Sequence, residues 1–372
     1  MIKKILLLSL CVLLSGCSYK IDLREKITFS TWGSASEMAI LEPIIADFEK
    51  QNPRIKIELM HIPQDYFQKL HLLFASNTAP DVIFINNLNL PTYTDKLEDL
   101  TPHIKKEEFY EKSITALSNN NITYAIPRDV SNLVIYYNKS LFKKYGVPYP
   151  NKDWTLEDLI STAQRMTKNG TFGISYEPQI FYAMPFIMAF GGDILNDYLE
   201  YVGTGINAEK GVELYKGLAF NKHIAPMPSQ IGSKTLAQMF LEGKIAMHLS
   251  GRWVVPKYRE SAKFDWDIIN FPDYLVPCDA SGWAISNTSK HKENAIKFVL
   301  FLSKKENIEK MTESGLIVPA RIDVAQSPIF LSGKPEHAKT FLSTIEQSKV
   351  TNVNKEYNSI IDKTNDFYFS KK

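Results

Sequence analysis

Ile27, Phe29 and Thr31 alternate with polar neighbours, the two-residue period of a half-buried strand. Ile40, Leu41, Ile44, Ile45 and Phe48 then recur at helical spacing, with Pro43 expected near the first turn or at a kink. Ile55, Ile57 and Leu59 alternate again. The apolar run from Val82 to Ile85 follows the turn-forming Ala79-Pro80-Asp81 and suits a buried parallel strand. Asp81 is read as structural, holding that turn. Strand, helix, strand, helix, strand is a doubly wound α/β pattern. A second unit begins after Ile126-Pro127. Thr155 and Asp158 mark a helix start, with Leu156, Leu159, Ile160, Ala163 and Met166 as its apolar face. Gly191-Gly192 marks a turn, and residues 212–218 and 236–241 read as further helices. Residues 264–270 are strand-like, with Trp266 in the core. Pro272 and Pro277 bracket a crossover, and residues 295–302 carry another helical stripe. No internal repeat stands out.

The N-terminus has a different character. Lys3 and Lys4 precede an apolar run over residues 5–14, too short to span a membrane as a mature helix. Leu14-Ser15-Gly16-Cys17 follows and resembles the bacterial lipobox, which implies cleavage after residue 16 and lipidation of Cys17. The alternative is an ordinary cleaved signal with Cys17 incidental. The expected location is therefore extracytoplasmic, with the membrane reached only through the N-terminal lipid and residues 17–26 as a tether. There are 43 Lys and Arg against 41 Asp and Glu, and loss of Lys3 and Lys4 evens them. A balanced chain without a basic patch argues against nucleic acid as a partner. The length, 372 residues, exceeds one typical core and points to two lobes. After processing, Cys278 would be the sole unmodified thiol, so no intramolecular disulfide is expected. The seven His are scattered and no Cys/His group has zinc spacing, so neither a metal nor a cofactor is expected.

Six segments, in order, are similar to the bacterial extracellular solute-binding proteins that serve ABC importers for sugars. Residues 27–60 resemble the family's opening strand, Trp-Gly loop, helix ending in Phe-Glu-Lys, and second strand. Residues 66–85 resemble its Tyr, Lys-Leu and Ala-Pro-Asp-Val series, and residues 124–142 its Pro-then-Tyr-Asn-Lys segment. Residues 176–193 resemble the Glu-Pro and Gly-Gly stretch of maltose-type binders, 247–253 the Met…Gly-x-Trp element, and 315–321 the last motif. The resemblance implies two α/β lobes of the type II periplasmic-binding-protein kind, with a central cleft. Lobe one would hold 27–127 and 280–314, and lobe two 128–279 and 315–372. Hinge crossovers would lie near 127–130, 272–280 and 315–321. Ligand would bind beyond the carboxyl ends of strands, and the permease subunits of an importer would be the partner of a monomeric receptor.

Candidate ligand contacts follow from residue chemistry at those places. Trp32 follows the first strand, where its ring could stack on a sugar or pack in the loop. Asn86 and Asn87 end the Val82–Ile85 strand and offer paired donors and acceptors for hydroxyls, or simply form a turn. Arg128 and Asp129 sit at the first crossover, as ligand groups or as a hinge ion pair. Tyr136, Tyr137 and Asn138 are read as strand and strand end. By resemblance, Glu177 contacts sugar, and Phe181 or Tyr182 supplies the neighbouring ring; the inserted Gln179-Ile180 leaves open which. Trp253 matches the family's stacking aromatic, and Arg252, which stands where Pro is common, is read as an added donor or as a solvent-facing group. Trp283 follows the return crossover. Arg321 matches an Arg that reaches the cleft in relatives, the alternative being an interlobe salt bridge. Other solutes remain open: a glycerophosphodiester, a uronate, a metal or a polyamine. A lipoprotein glycosidase would need Asp129 and Glu177 as a carboxylate pair. No Gly-x-Ser-x-Gly, HExxH or phosphate-binding Gly loop is present, and catalysis is not expected.

Overall fold

The computed structural model describes residues 22–370; Cys17 and its neighbours lie outside them. Strand β1 (Glu25–Thr31) leads to helix Ala35–Gln51, and β2 (Ile55–His61) to helix Tyr66–Ala75 and β3 (Val82–Asn86). A short hairpin, β4 (Ser118–Asn119) and β5 (Ile122–Thr123), precedes β6 (Ala125–Ser131) and β7 (Val134–Asn138). Next come β8 (Phe172–Ile174), β9 (Ile245–Ser250), β10 (Trp266–Ile269) and β11 (Pro277–Ile285). The two-residue strands β12 (Val318–Pro319) and β13 (Lys349–Val350) close the series.

The large sheet runs β12-β6-β11-β3-β1-β2, with β13 also paired to β11. Only β1, β2 and β3 follow the expected parallel winding; β11 returns antiparallel to both β3 and β6. The second sheet runs β10-β7-β9-β8. The fold is therefore the two-lobed α/β architecture, built on mixed sheets.

The helix after β1 shows why these residues form these elements. Ser34 caps it and Glu37 returns the bond, a reciprocal capping box. Met38, Leu41, Ile44, Ile45 and Phe48 are buried. Pro43 lies inside the helix on its exposed side, and the helix continues through it without that residue's N–H bond. Asn52 ends it, donating through Nδ2 to the Phe48 carbonyl. Thr155 and Asp158 form a second capping box, as their spacing predicts.

Three boundaries differ from expectation. Glu25 and Lys26 belong to β1 rather than to a tether: Glu25 accepts from Asn294 and contacts His291, and Lys26 pairs with Glu58. Residues 128–131 continue β6 on the large sheet, so the first hop between sheets falls at residues 132–133. The stretch from 315 does not join the second lobe directly. Val318 pairs with Val130 and Pro319 with Asp129, at the sheet edge, where a residue without an N–H is tolerated. Helix Lys339–Gln347 then packs on β7, β13 returns to β11, and helix Tyr357–Phe369 packs on helix Ile180–Ala189.

One buried cluster joins Ile27, Phe29, Val82 and Phe84 of the large sheet to Tyr136, Ile245, Trp266 and Ile268 of the small one. It runs by way of Ile308, Phe330 and Phe341. A second cluster fills the far side of the small sheet.

Candidate functional site

The carboxyl ends of β1, β3 and β9 open on one cleft of about 340 Å³, the size of a small-ligand site. Trp32, Asn86, Asn87, Arg128 and Asp129 line it from the large sheet, and Phe181, Arg252 and Trp253 from the other lobe. Glu177, Tyr182, Trp283 and Arg321 are absent from the lining.

Trp253 sits on the single turn Arg252–Val254 after β9. It is 39% exposed and its ring centroid is 6.2 Å from that of Phe181. The ring folds back over Gly251, where an added Cβ would stand 1.9 Å from it. Tyr136 donates to the Gly251 carbonyl at 2.8 Å and pins the turn from below. Phe181 is thus the ring that reaches the cleft, while Tyr182 stacks edge-on behind it at 5.1 Å.

Trp32 packs edge-on against Tyr66 and Phe67 and tilts over Phe84 at 4.3 Å. The preceding strand delivers it, and Gly33, at φ 129°, turns the chain into the next helix. A side chain at Gly33 would also strike the Glu37 carboxylate, 2.9 Å away. Arg128 lies over the Phe84 ring at 4.1 Å, pairs with Asp129, and has Glu37 at 3.8 Å. Asp129 also accepts from Ser281 at 2.6 Å.

The two asparagines divide in role. Asn86 accepts from the Asn89 backbone and side-chain N–H groups, an Asx turn. Asn87 is fully buried. Its Nδ2 donates to Asp279 and its Oδ1 accepts from the Ala280 N–H, both at 3.0 Å. Its amide ties β3 to β11. Burial raises the Asp279 carboxyl above its ordinary range, against the lowering effect of Thr351 and Asn87.

Three expected contacts are corrected. Trp283 lies on β11 between Phe84 and Ile126, 2% exposed, as core. Arg321 donates to Glu108 at 2.7 Å and to Asp323 at 3.0 Å, with Phe109 beneath its guanidinium, so it is an ion-pair node away from the lining. Glu177 is half-buried, its backbone clasped by the Tyr215 hydroxyl at 2.9 and 2.8 Å. Burial raises its pKa. Asp129 and Glu177 therefore do not share the cleft as a glycosidase pair would.

Arg252 does not face solvent. It is 3% exposed and lies over Phe330 at 4.0 Å and near Phe341 at 5.3 Å. None of its three guanidinium nitrogens meets an acceptor. Burial lowers its pKa to about 10.

Sequence reasoning passed over Glu37, Asp279 and Ser281, which also line the cleft. The Ser34-x-x-Glu37 capping signature directly after Trp32-Gly33 was the available signal for Glu37. Asp279 and Ser281 reach the site only through the β11–β6 register, which no local pattern shows. Among the described residues, Asp267, Glu336 and His337 place ligand atoms within 4.8 Å of one another. Lys139 and Lys334 already hold Glu336, and two ammonium groups oppose a metal cation there.

Comparison with known proteins agrees with this architecture. A galactooligosaccharide-binding protein of Bacillus subtilis is 25% identical over 333 residues, covering 83% of this chain and 76% of that protein. A maltodextrin-binding protein of the same organism is 24% identical over 297 residues, covering 75% and 70%. An ABC substrate-binding protein of Listeria monocytogenes, solved in complex with cycloalternan, superposes with a TM-score of 0.83 at 27% identity. The match covers 93% of this chain and 92% of that one. The family model described as bacterial extracellular solute-binding protein matches residues 43–339; this chain belongs to that family.

Proposed function

We propose that this protein captures a carbohydrate in the interlobe cleft and delivers it to the permease of an ABC importer, held at the membrane by a lipid on Cys17. The observation that carries this reading is the exposed Trp253 ring, paired with Phe181 in a cleft whose other lobe contributes Arg128 and Asp129. An aromatic face suits the C–H face of a sugar ring, and charged groups suit its hydroxyls. The sugar-binding relatives support the same ligand class. The lipobox-like Leu14–Cys17 supports the anchor, and among the described residues no helix is long and apolar enough to cross a membrane. Ligand touching both lobes would favour the closed state through contacts made only there.

A thermal-shift screen of mono-, di- and oligosaccharides tests the ligand class. Stabilisation by at least one is expected, and Trp253→Ala should weaken its binding by about tenfold or more, as loss of a buried aromatic anchor does. No stabilisation by any saccharide would overturn the carbohydrate reading. A sugar that binds Trp253→Ala as well as wild type would remove Trp253 from the site.

A further inference from the structure

We propose that the saccharide is acidic and that Arg252 receives its carboxylate, an inference that rests on the carbohydrate reading of the cleft. The charged groups of the lining are Glu37, Arg128, Asp129, Asp279 and Arg252. Four of them have partners. Arg128 pairs with Asp129 and faces Glu37, and Glu37 accepts from the Ser34 N–H at 2.9 Å. Asp279 accepts from Asn87. Arg252 has neither an ion pair nor a hydrogen bond among the described residues.

A guanidinium carries five N–H donors and a charge that does not titrate away at neutral pH. The flanking rings of Phe330 and Phe341 attract the cation but accept no conventional hydrogen bond. Arg259 acts on it as a like charge. A buried charge left in this state is costly unless something completes it.

A second unpartnered group stands in the same wall. Asn132 lines the cleft and donates through Nδ2 to the Phe341 carbonyl, while its Oδ1 has no donor. The donor-only Arg252 and the acceptor of Asn132 thus flank one residue, Phe341. A sugar acid offers the matching pair, a carboxylate for the fork and a hydroxyl for the amide oxygen. Trp253, next along the chain, supplies the platform for the ring. The guanidinium nitrogens lie beneath the cleft surface, so the side chain must turn out from between the rings to reach a ligand. One unpaired guanidinium balances one carboxylate; a phosphate monoester would leave excess negative charge beside Glu37 and Asp129.

Calorimetric titration of the full mature chain with galacturonate, its neutral counterpart galactose, and glucose 6-phosphate tests the assignment. Galacturonate is expected to bind at least about tenfold more tightly than galactose, with an affinity that falls as salt rises. Arg252→Met should collapse that acid-to-neutral ratio toward one. Arg252→Lys, which keeps the charge without the fork, should restore part of it. Melting curves of both variants report folding; should Arg252→Met not fold, the Arg252→Lys ratio decides. Galactose binding equal to or tighter than galacturonate would overturn the acidic ligand and leave the carbohydrate reading standing. An unchanged ratio in the variants would overturn the role of Arg252. Preference for glucose 6-phosphate would overturn the carboxylate in favour of phosphate. Failure of every saccharide, neutral and acidic, would take both readings down together.

Discussion

His248 on β9 is 4% exposed, with its Nδ1 against the Tyr258 hydroxyl and Phe240 beside it. Burial lowers its pKa to about 3, against about 6.5 in an unfolded chain. The folded state thus refuses a proton that the unfolded state takes. Its contribution to stability is complete above pH ~6.5 and is lost as pH falls from there toward 3, with a slope approaching about 1.4 kcal/mol per pH unit. Urea unfolding between pH 7 and 4 should show this slope, and His248→Gln should flatten it. An undiminished slope in the variant would place the proton elsewhere. At this scale the sequence was an uneven guide to the site. Trp32 and Trp253 carry their chemistry in their own residue type and strand-end position, and both line the cleft, as do Arg128 within β6 and Phe181 on helix Ile180–Ala189. Arg321 does not, because its partner Glu108 lies 213 positions away and no local pattern joins them. Arg252 lines the cleft as expected, but its burial was not legible for the same reason: the rings that enclose it, Phe330 and Phe341, arrive from late helices.

Between elements, Asp81 is the join that holds β1, β3 and β11 in place. Its carboxylate accepts from the Thr28 N–H and hydroxyl at 2.8 Å and from Ser289 at 2.6 Å, and its carbonyl accepts from the Ser286 N–H at 3.0 Å. Asp81→Ala should cost about 2 kcal/mol in chemical denaturation, since it strips partners from partly buried donors. A loss below about 0.5 kcal/mol would show that water replaces the carboxylate there. Elements with strong local signals were legible. The helix capped by Thr155 and the strands at Val82 and Trp266 stand where capping chemistry and period place them. The strands β12 and β13 were not. Two residues are too few for a period, and their assignment depends on partners in β6 and β11.

The two sheets are linked by the short passage at residues 132–133 and by residues 270–276. Such links suit rotation of one lobe against the other about a few backbone positions. X-ray scattering should register closure as a fall in radius of gyration when the most stabilising saccharide of the screen is added. An unchanged value at saturation would mean that the cleft fills without closing. The cluster that runs from Ile27 through Phe330 and Phe341 to Trp266 adds a further consequence. Melting either sheet would strip apolar cover from the other, so the lobes are expected to unfold together in a single calorimetric transition; two resolved transitions would show them to be independent. Destabilisation anywhere along that seam is therefore felt by the whole receptor, including the half of the cleft that the altered residue never touches.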